Sequence, residues 1–149
     1  MRIIFHHRRN DLLSEFIIKY YLKYEEVKNK DGQTEFKKKL IREVVNEVVP
    51  QYKPGELNFI GLDGYGNQVL FINRKKHEKI VFRTLLGINR IFSRNSPIIL
   101  FNVSAFENYY IKLAIFFKSI GNNYYCNKFL ENGLDINIKT LEDYFARLN

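Results

Sequence analysis

Two nearly unbroken apolar runs constrain this chain more than any other feature. They are Val69-Leu70-Phe71-Ile72 and the stretch from Pro97 to Val103. A strand sends successive side chains to opposite faces, so a run that is apolar throughout must be covered on both. A chain that carries such strands needs other elements on each side of a sheet, and the rest of the sequence provides them.

Arg2 to Phe5 reads as a further short strand. Leu57 to Leu62 and Gln68 to Arg74 flank Asp63-Gly64-Tyr65-Gly66-Asn67. Gly and Asn accept positive φ, so this predicts a hairpin with a five-residue loop. From Asn10 to about Lys28, Leu13, Ile17, Tyr20, Tyr24 and Val27 recur at helical spacing, with Asn10 or Asp11 as N-cap. Asn29 to Gly32 breaks that helix. A second runs from about Thr34 to Val48, with Phe36, Leu40, Val44 and Val48 on one face, before Pro50 and Pro54-Gly55. Ser104 and Glu107 have the spacing of a capping box for a helix ending at Gly121. Tyr124 to Cys126 and Leu134 to Ile138 read as weak strands, and a closing helix starts at Thr140. The interleaving predicts an α+β (mixed α/β) fold over residues 1–149, in a single compact domain. It has two N-terminal helices, a central β-hairpin and further strands packed with helices.

Charge is the second informative feature. The net charge of +8 falls entirely within residues 1–94, which hold 19 Lys and Arg against 11 Asp and Glu; residues 95–149 hold five of each. A nucleotide bias that raises lysine content would act evenly along the chain, so the asymmetry points to a polyanionic or acidic partner.

The segment from Lys76 to Arg94 sharpens this. At 100° per residue, Lys76, Lys79, Arg83, Arg90 and Arg94 fall within about 60° of arc, while Val81, Leu85, Ile88 and Phe92 cluster opposite. As a helix it buries an apolar stripe and presents a row of cations. Gly87 weighs against a helix, and Ile80, Val81, Phe82 and Thr84 make residues 79–86 a strand alternative. A cationic row can track a phosphate backbone. The expected face is therefore Arg74, Lys75 and Lys76 with Lys79, Arg83, Arg90 and Arg94. Arg8, Arg9, Lys37, Lys38, Lys39 and Arg42 would extend it if the fold gathers them on one side.

Chemical motifs are absent. Gly64 and Gly66 begin a dinucleotide fingerprint, but Val69 replaces the third glycine and a strand follows. A metal-dependent nuclease reading pairs Asp63 with Asn73-Arg74-Lys75, where a neutral amide stands in the acid's place. His6 and His7 are adjacent, so on a strand they face opposite ways, and His77 has no ligand-bearing neighbour at helical spacing. Structural or surface histidines are the expectation, and Cys126 is read as a packed side chain. The paired aromatics Tyr20-Tyr21, Tyr109-Tyr110, Phe116-Phe117 and Tyr124-Tyr125 are assigned to the core.

The sequence thus predicts no catalytic residue, metal ligand or cofactor. It predicts a non-catalytic domain that binds nucleic acid within a larger hetero-assembly such as a ribonucleoprotein or ribosomal particle. RNA is favoured over DNA, since no helix-turn-helix, zinc or basic-zipper pattern is present. The alternative is a module of immunity or inhibitor type whose basic face meets an acidic protein. A single cysteine allows no intramolecular disulfide and suits a reducing compartment, the cytoplasm or an organelle matrix. No apolar stretch approaches the ~20 residues that cross a bilayer, so no membrane partner is expected.

Overall fold

The computed structural model describes residues 1–28, 32–92 and 96–148. Its elements run β1 (Arg2–His7), α1 (Leu12–Val27), α2 (Gln33–Asn46), β2 (Leu57–Leu62), β3 (Gln68–Asn73), α3 (Glu78–Phe92), β4 (Ile98–Asn102), a 3-10 turn (Val103–Phe106), α4 (Tyr109–Ser119) and α5 (Asn123–Leu148). The class is α+β, as the interleaved pattern predicts, with one mixed four-stranded sheet. Contacts group the chain into two compact units. Met1–Asn10 with Pro50–Ser104 form the first, and Asp11–Val49 with Ala105–Asn149 the second. Among the described residues no helix is long and apolar enough to cross a membrane.

The first unit is the sheet with α3. Its strand order is β2-β3-β1-β4. Central β1 pairs in parallel with β3, from Arg2 opposite Gln68 to His7 opposite Asn73, and with β4, from Arg2 opposite Ile98 to His6 opposite Asn102. β2 lies antiparallel at the edge, with a bulge between Phe59 and Gly61. The apolar run Val69–Ile72 is buried throughout. On one face Ile4, Leu70 and Ile72 pack with Leu85 of α3, joined by Val81, Ile98 and Leu100. On the other, the rings of Phe5 and Phe101 lie 4.8 Å apart and those of Tyr52 and Phe71 5.6 Å apart. The hairpin loop closes on Asp63. Its Oδ1 accepts from the Tyr65 and Asn67 amides, its Oδ2 accepts from Asn67 Nδ2, and Gly66 takes a φ of 78°.

The second unit is helical. Asp11 caps α1, and Ser14 returns the bond to the Asp11 backbone N–H. Tyr20 is fully buried, with the rings of Phe16, Phe36 and Phe145 at 5.4–6.1 Å. Its hydroxyl donates to Glu142 Oε1 at 2.6 Å, and Gln33 Nε2 donates to both groups. Burial, then the bond to the Glu142 carboxylate, holds the phenol well above its ordinary range.

Here several expectations are corrected. Residues 124–126 and 134–138 are not strands, and no helix begins at Thr140, because α5 runs unbroken for 26 residues. Tyr and Ile favour strands locally, but Cys126, Leu130, Leu134, Leu141 and Phe145 recur at helical spacing and are buried together. Burying that stripe outweighs strand propensities that span only ~1 kcal/mol. Ser104 does not cap a helix: it lies inside the 3-10 turn, and α4 starts later, with Asn108 Oδ1 accepting from the Ile111 amide. The second helix stops at Asn46, which leaves Val48 exposed. Of the aromatic pairs, Tyr20-Tyr21 is in the core. Tyr109 and Tyr124 are 71% and 72% exposed, and Phe116 is also at the surface.

Gly133 sits in the interior of α5 where Ile111 of α4 packs against it. Its carbonyl accepts from Asn108 Nδ2 at 2.8 Å, and a Cβ there would stand 2.7 Å from Ile111 Cδ1. Ile111 is fully buried, so it has nowhere to retreat. Gly133→Ala is therefore expected to destabilise the protein by about 1–2 kcal/mol through overpacking, although alanine's helix propensity favours the change by ~1 kcal/mol. The urea midpoint measures this, and a midpoint at or above that of the wild type would show that the helices have room.

Candidate functional site

Sorting the charges by compact unit changes the picture drawn from the linear sequence. The first unit holds 11 Lys and Arg (residues 2, 8, 9, 53, 74, 75, 76, 79, 83, 90 and 94) against three Asp and Glu (56, 63 and 78), a net +8. The second unit balances to zero. The excess thus belongs to the sheet and α3, and not to the N-terminal helices that share the basic half of the sequence.

In the second unit the cations meet carboxylates. Lys19 pairs with Glu43 and Glu47, Lys37 with Asp135, and Lys38 with Glu131 at 3.8 Å. Lys39 and Arg42 are exposed on α2 of that neutral unit.

In the first unit residues 78–92 are helical and not a strand. Lys79, Arg83 and Arg90 are all exposed and fall within about 40° of arc. Lys75 and Lys76 are exposed just before the helix, and Arg94 lies outside the described residues. The apolar side differs from expectation. Leu85 is buried and Val81 and Phe82 half-buried, but Ile88 is 48% exposed, and Ile80 and Leu86 are also at the surface. Helix α3 packs over β1, β3 and β4 and leaves the edge strand β2 bare. A groove of about 310 Å³ remains between them, lined by Leu57, Ile72, Ile80, Val81 and Ile88 among others.

Arg74 does not share the exposed face. It is only 5% exposed and turns inward across the carboxyl ends of the parallel strands. Its backbone N–H extends the ladder to the His7 carbonyl at 2.9 Å. Its Nε donates to His6 Nδ1 at 3.0 Å, Nη1 to the Lys75 carbonyl at 3.3 Å, and Nη2 to Ser104 Oγ at 3.2 Å. Glu78 Oε2 lies 3.3 Å from Nη2. Ser104 Oγ is also 2.8 Å from His7 Nδ1, and the Ser104 amide donates to Asn102 Oδ1.

As neighbours on a strand, the two histidines do face opposite ways: the His6 ring meets the edge of Phe82 on the α3 side, while His7 bonds Ser104. Both are buried. The linear sequence gave little sign of this network, since 97 residues separate His7 from Ser104. Its one signal was polar residues closing three otherwise apolar strands.

Lys75 carries a further peculiarity. Its φ is +47°, the left-handed region that costs a side-chain-bearing residue roughly 1–2 kcal/mol. The Asn73 side chain, which accepts from the Lys75 amide at 3.3 Å, and the Arg74 guanidinium on its carbonyl hold it there.

The nuclease pairing fails on distance. Asp63 precedes β3 and Asn73 ends it, so the two are separated by the ~17 Å length of the strand. Asp63 is also committed to its own loop. Among the described residues no group of three His, Cys, Asp or Glu side chains could hold a metal ion. Cys126 is buried, which raises its thiol to about 11, the opposite of what a nucleophile needs.

Burial first, then the Arg74 and His7 charges, lower the His6 pKa from 6.5 to about 4. In the unfolded chain His6 binds a proton near pH 6.5; in the fold it stays neutral. The stability it confers is complete above pH 6.5 and is lost as pH falls toward 4, on the order of 3 kcal/mol. In an NMR titration the His6 ring proton is expected to hold its shift down to about pH 5. Titration near 6.5 would mean the imidazole is not held neutral.

No curated protein matches the chain. No solved structure matches it either. A family model described as "Protein of unknown function (DUF3189)" matches residues 31–146. That span covers most of both units, and the chain belongs to this family.

Proposed function

We propose that the protein is a non-catalytic RNA-binding domain that works within a larger hetero-assembly such as a ribonucleoprotein, with the sheet unit supplying the contact. The observation that carries this reading is the concentration of the whole net charge of +8 in that unit, beside a neutral helical one. Lys79, Arg83 and Arg90 stand in one exposed row, with Lys75 and Lys76 leading into it. Successive cations on one helix face can each neutralise a backbone phosphate and release its condensed counterion. Guanidinium adds bidentate pairing.

A second reading draws on the groove between β2 and α3. An apolar trough beside a cationic row suits an acidic amphipathic partner protein, whose apolar side chains would enter the groove while its carboxylates meet Lys79 and Arg83.

Salt-dependent binding to single-stranded RNA, measured by fluorescence anisotropy, separates the two. Three phosphate contacts predict a log–log salt slope of about −2, and Lys79→Glu with Arg83→Glu and Arg90→Glu is expected to weaken binding at least ~10-fold. Ile88→Asp spoils the groove and is expected to leave RNA affinity within ~2-fold. If the triple variant binds as the wild type does, the RNA reading is wrong; an acidic protein captured by the wild type and lost with Ile88→Asp would establish the second.

A further inference from the structure

Three parallel strands end side by side at His7, Asn73 and Asn102. From β1 the next parallel strand is β3 on one side, whereas β4, on the other, is reached from β3 through α3. These carboxyl ends form the kind of edge at which open α/β sheets bind ligands. Ser104 Oγ occupies that position, between the His7 imidazole at 2.8 Å and the Arg74 guanidinium at 3.2 Å.

We propose that this carboxyl edge is a binding site for the phosphate group of a small phosphomonoester, built on Ser104, His7 and Arg74 and completed by Lys75 and Arg8. Three observations converge on it. The chemistry is that of an oxyanion site. Arg74 can only donate, so Ser104 Oγ accepts from it, and in the His7 tautomer with the proton on Nδ1 the serine hydroxyl proton can turn toward an arriving oxygen. The local charge is positive: Arg8, Arg9, Arg74, Lys75 and Lys76 cluster in sequence at the strand ends, and Glu78 is the carboxylate that touches Arg74. The backbone is also strained at this edge. Lys75, at φ +47°, is the one residue other than glycine with positive φ among the described residues, and its side chain is exposed. Glycine would fit that conformation without penalty, and what lysine adds is an exposed ammonium at the carboxyl edge.

The inference does not rest on the RNA reading; the two share Lys75, but the RNA test replaces Lys79, Arg83 and Arg90, so their failures are distinguishable. The experiment is a titration of ¹⁵N-labelled protein with inorganic phosphate, against chloride at matched ionic strength, following the amides of Arg8, Lys75 and Ser104. Saturable shifts at these amides with a Kd on the order of 1 mM or tighter are expected with phosphate and not with chloride. Ser104→Ala is expected to weaken binding about 10-fold. Lys75→Gly supplies the sharper test, because it relieves the strained backbone. Its thermal midpoint is expected to be no lower than that of the wild type while its phosphate affinity falls several-fold. A nucleoside monophosphate added in a second arm is expected to produce the same shifts at lower concentration, which would distinguish an ester site from one for free phosphate. Absence of saturable shifts at about 10 mM phosphate, or wild-type affinity in both variants, would overturn the site.

Discussion

A buried guanidinium needs partners, and Arg74 has four. Desolvating a charge without partners costs several kcal/mol. Here one side chain reaches β1 through His6, the start of α3 through Glu78, its own loop through the Lys75 carbonyl, and the end of β4 through Ser104. These contacts fix where three parallel strands stop and how the chain leaves them. They also explain why His6 stays neutral. Its Nδ1 is the acceptor for Arg74 Nε, and protonation would place two like charges 3.0 Å apart in a desolvated site. The sheet's apolar pairs would form with any residue at position 74, whereas the order at the carboxyl edge depends on this one.

Much of the sheet was legible because strands buried on both faces leave an unmistakable apolar run, and Val69–Ile72 is buried as that run requires. The hairpin loop was legible for a similar local reason, since Asp63, Gly66 and Asn67 carry their turn chemistry in adjacent residues. Where the reading failed, the deciding partner was remote. Ser104 has the spacing of a capping residue, and only the pairing of β4 beside β1 brings His7 to its hydroxyl. Arg74 looks like one more cation in a basic run, but its neighbours Lys75 and Lys76 remain outside while it turns in. Its bonds to His6 and Ser104 decide that, and no count of charges shows it.

Helix α5 illustrates a different limit. Its Tyr and Ile residues favour strand locally, yet its buried positions share one helical stripe that closes on α4 at Gly133. The same helical hairpin leaves Tyr109, Phe116 and Tyr124 exposed, with Phe117 stacked on Phe129 at 5.3 Å. Aromatic residues in helices were assigned to the core because burial is their usual lot. Helices α4 and α5 carry more apolar surface than the contact between them covers.

The charge distribution acquires its meaning only after the fold divides the chain. By sequence, the N-terminal helices and the segment around α3 appear equally part of a basic region. The fold sends residues 11–49 to join residues 105–149, and in that unit basic and acidic residues come out even, several of them in direct pairs. Such exposed pairs add little stability, roughly 0–1 kcal/mol each, but they cancel the far field of the cations they engage. What remains is a sheet unit with 11 basic and three acidic side chains, one of those acids committed to Arg74 and another to the hairpin loop. Uncompensated charge of one sign raises the energy of a compact domain by self-repulsion, a cost that a bound polyanion removes. The sheet unit carries that cost, and the neutral helical unit does not.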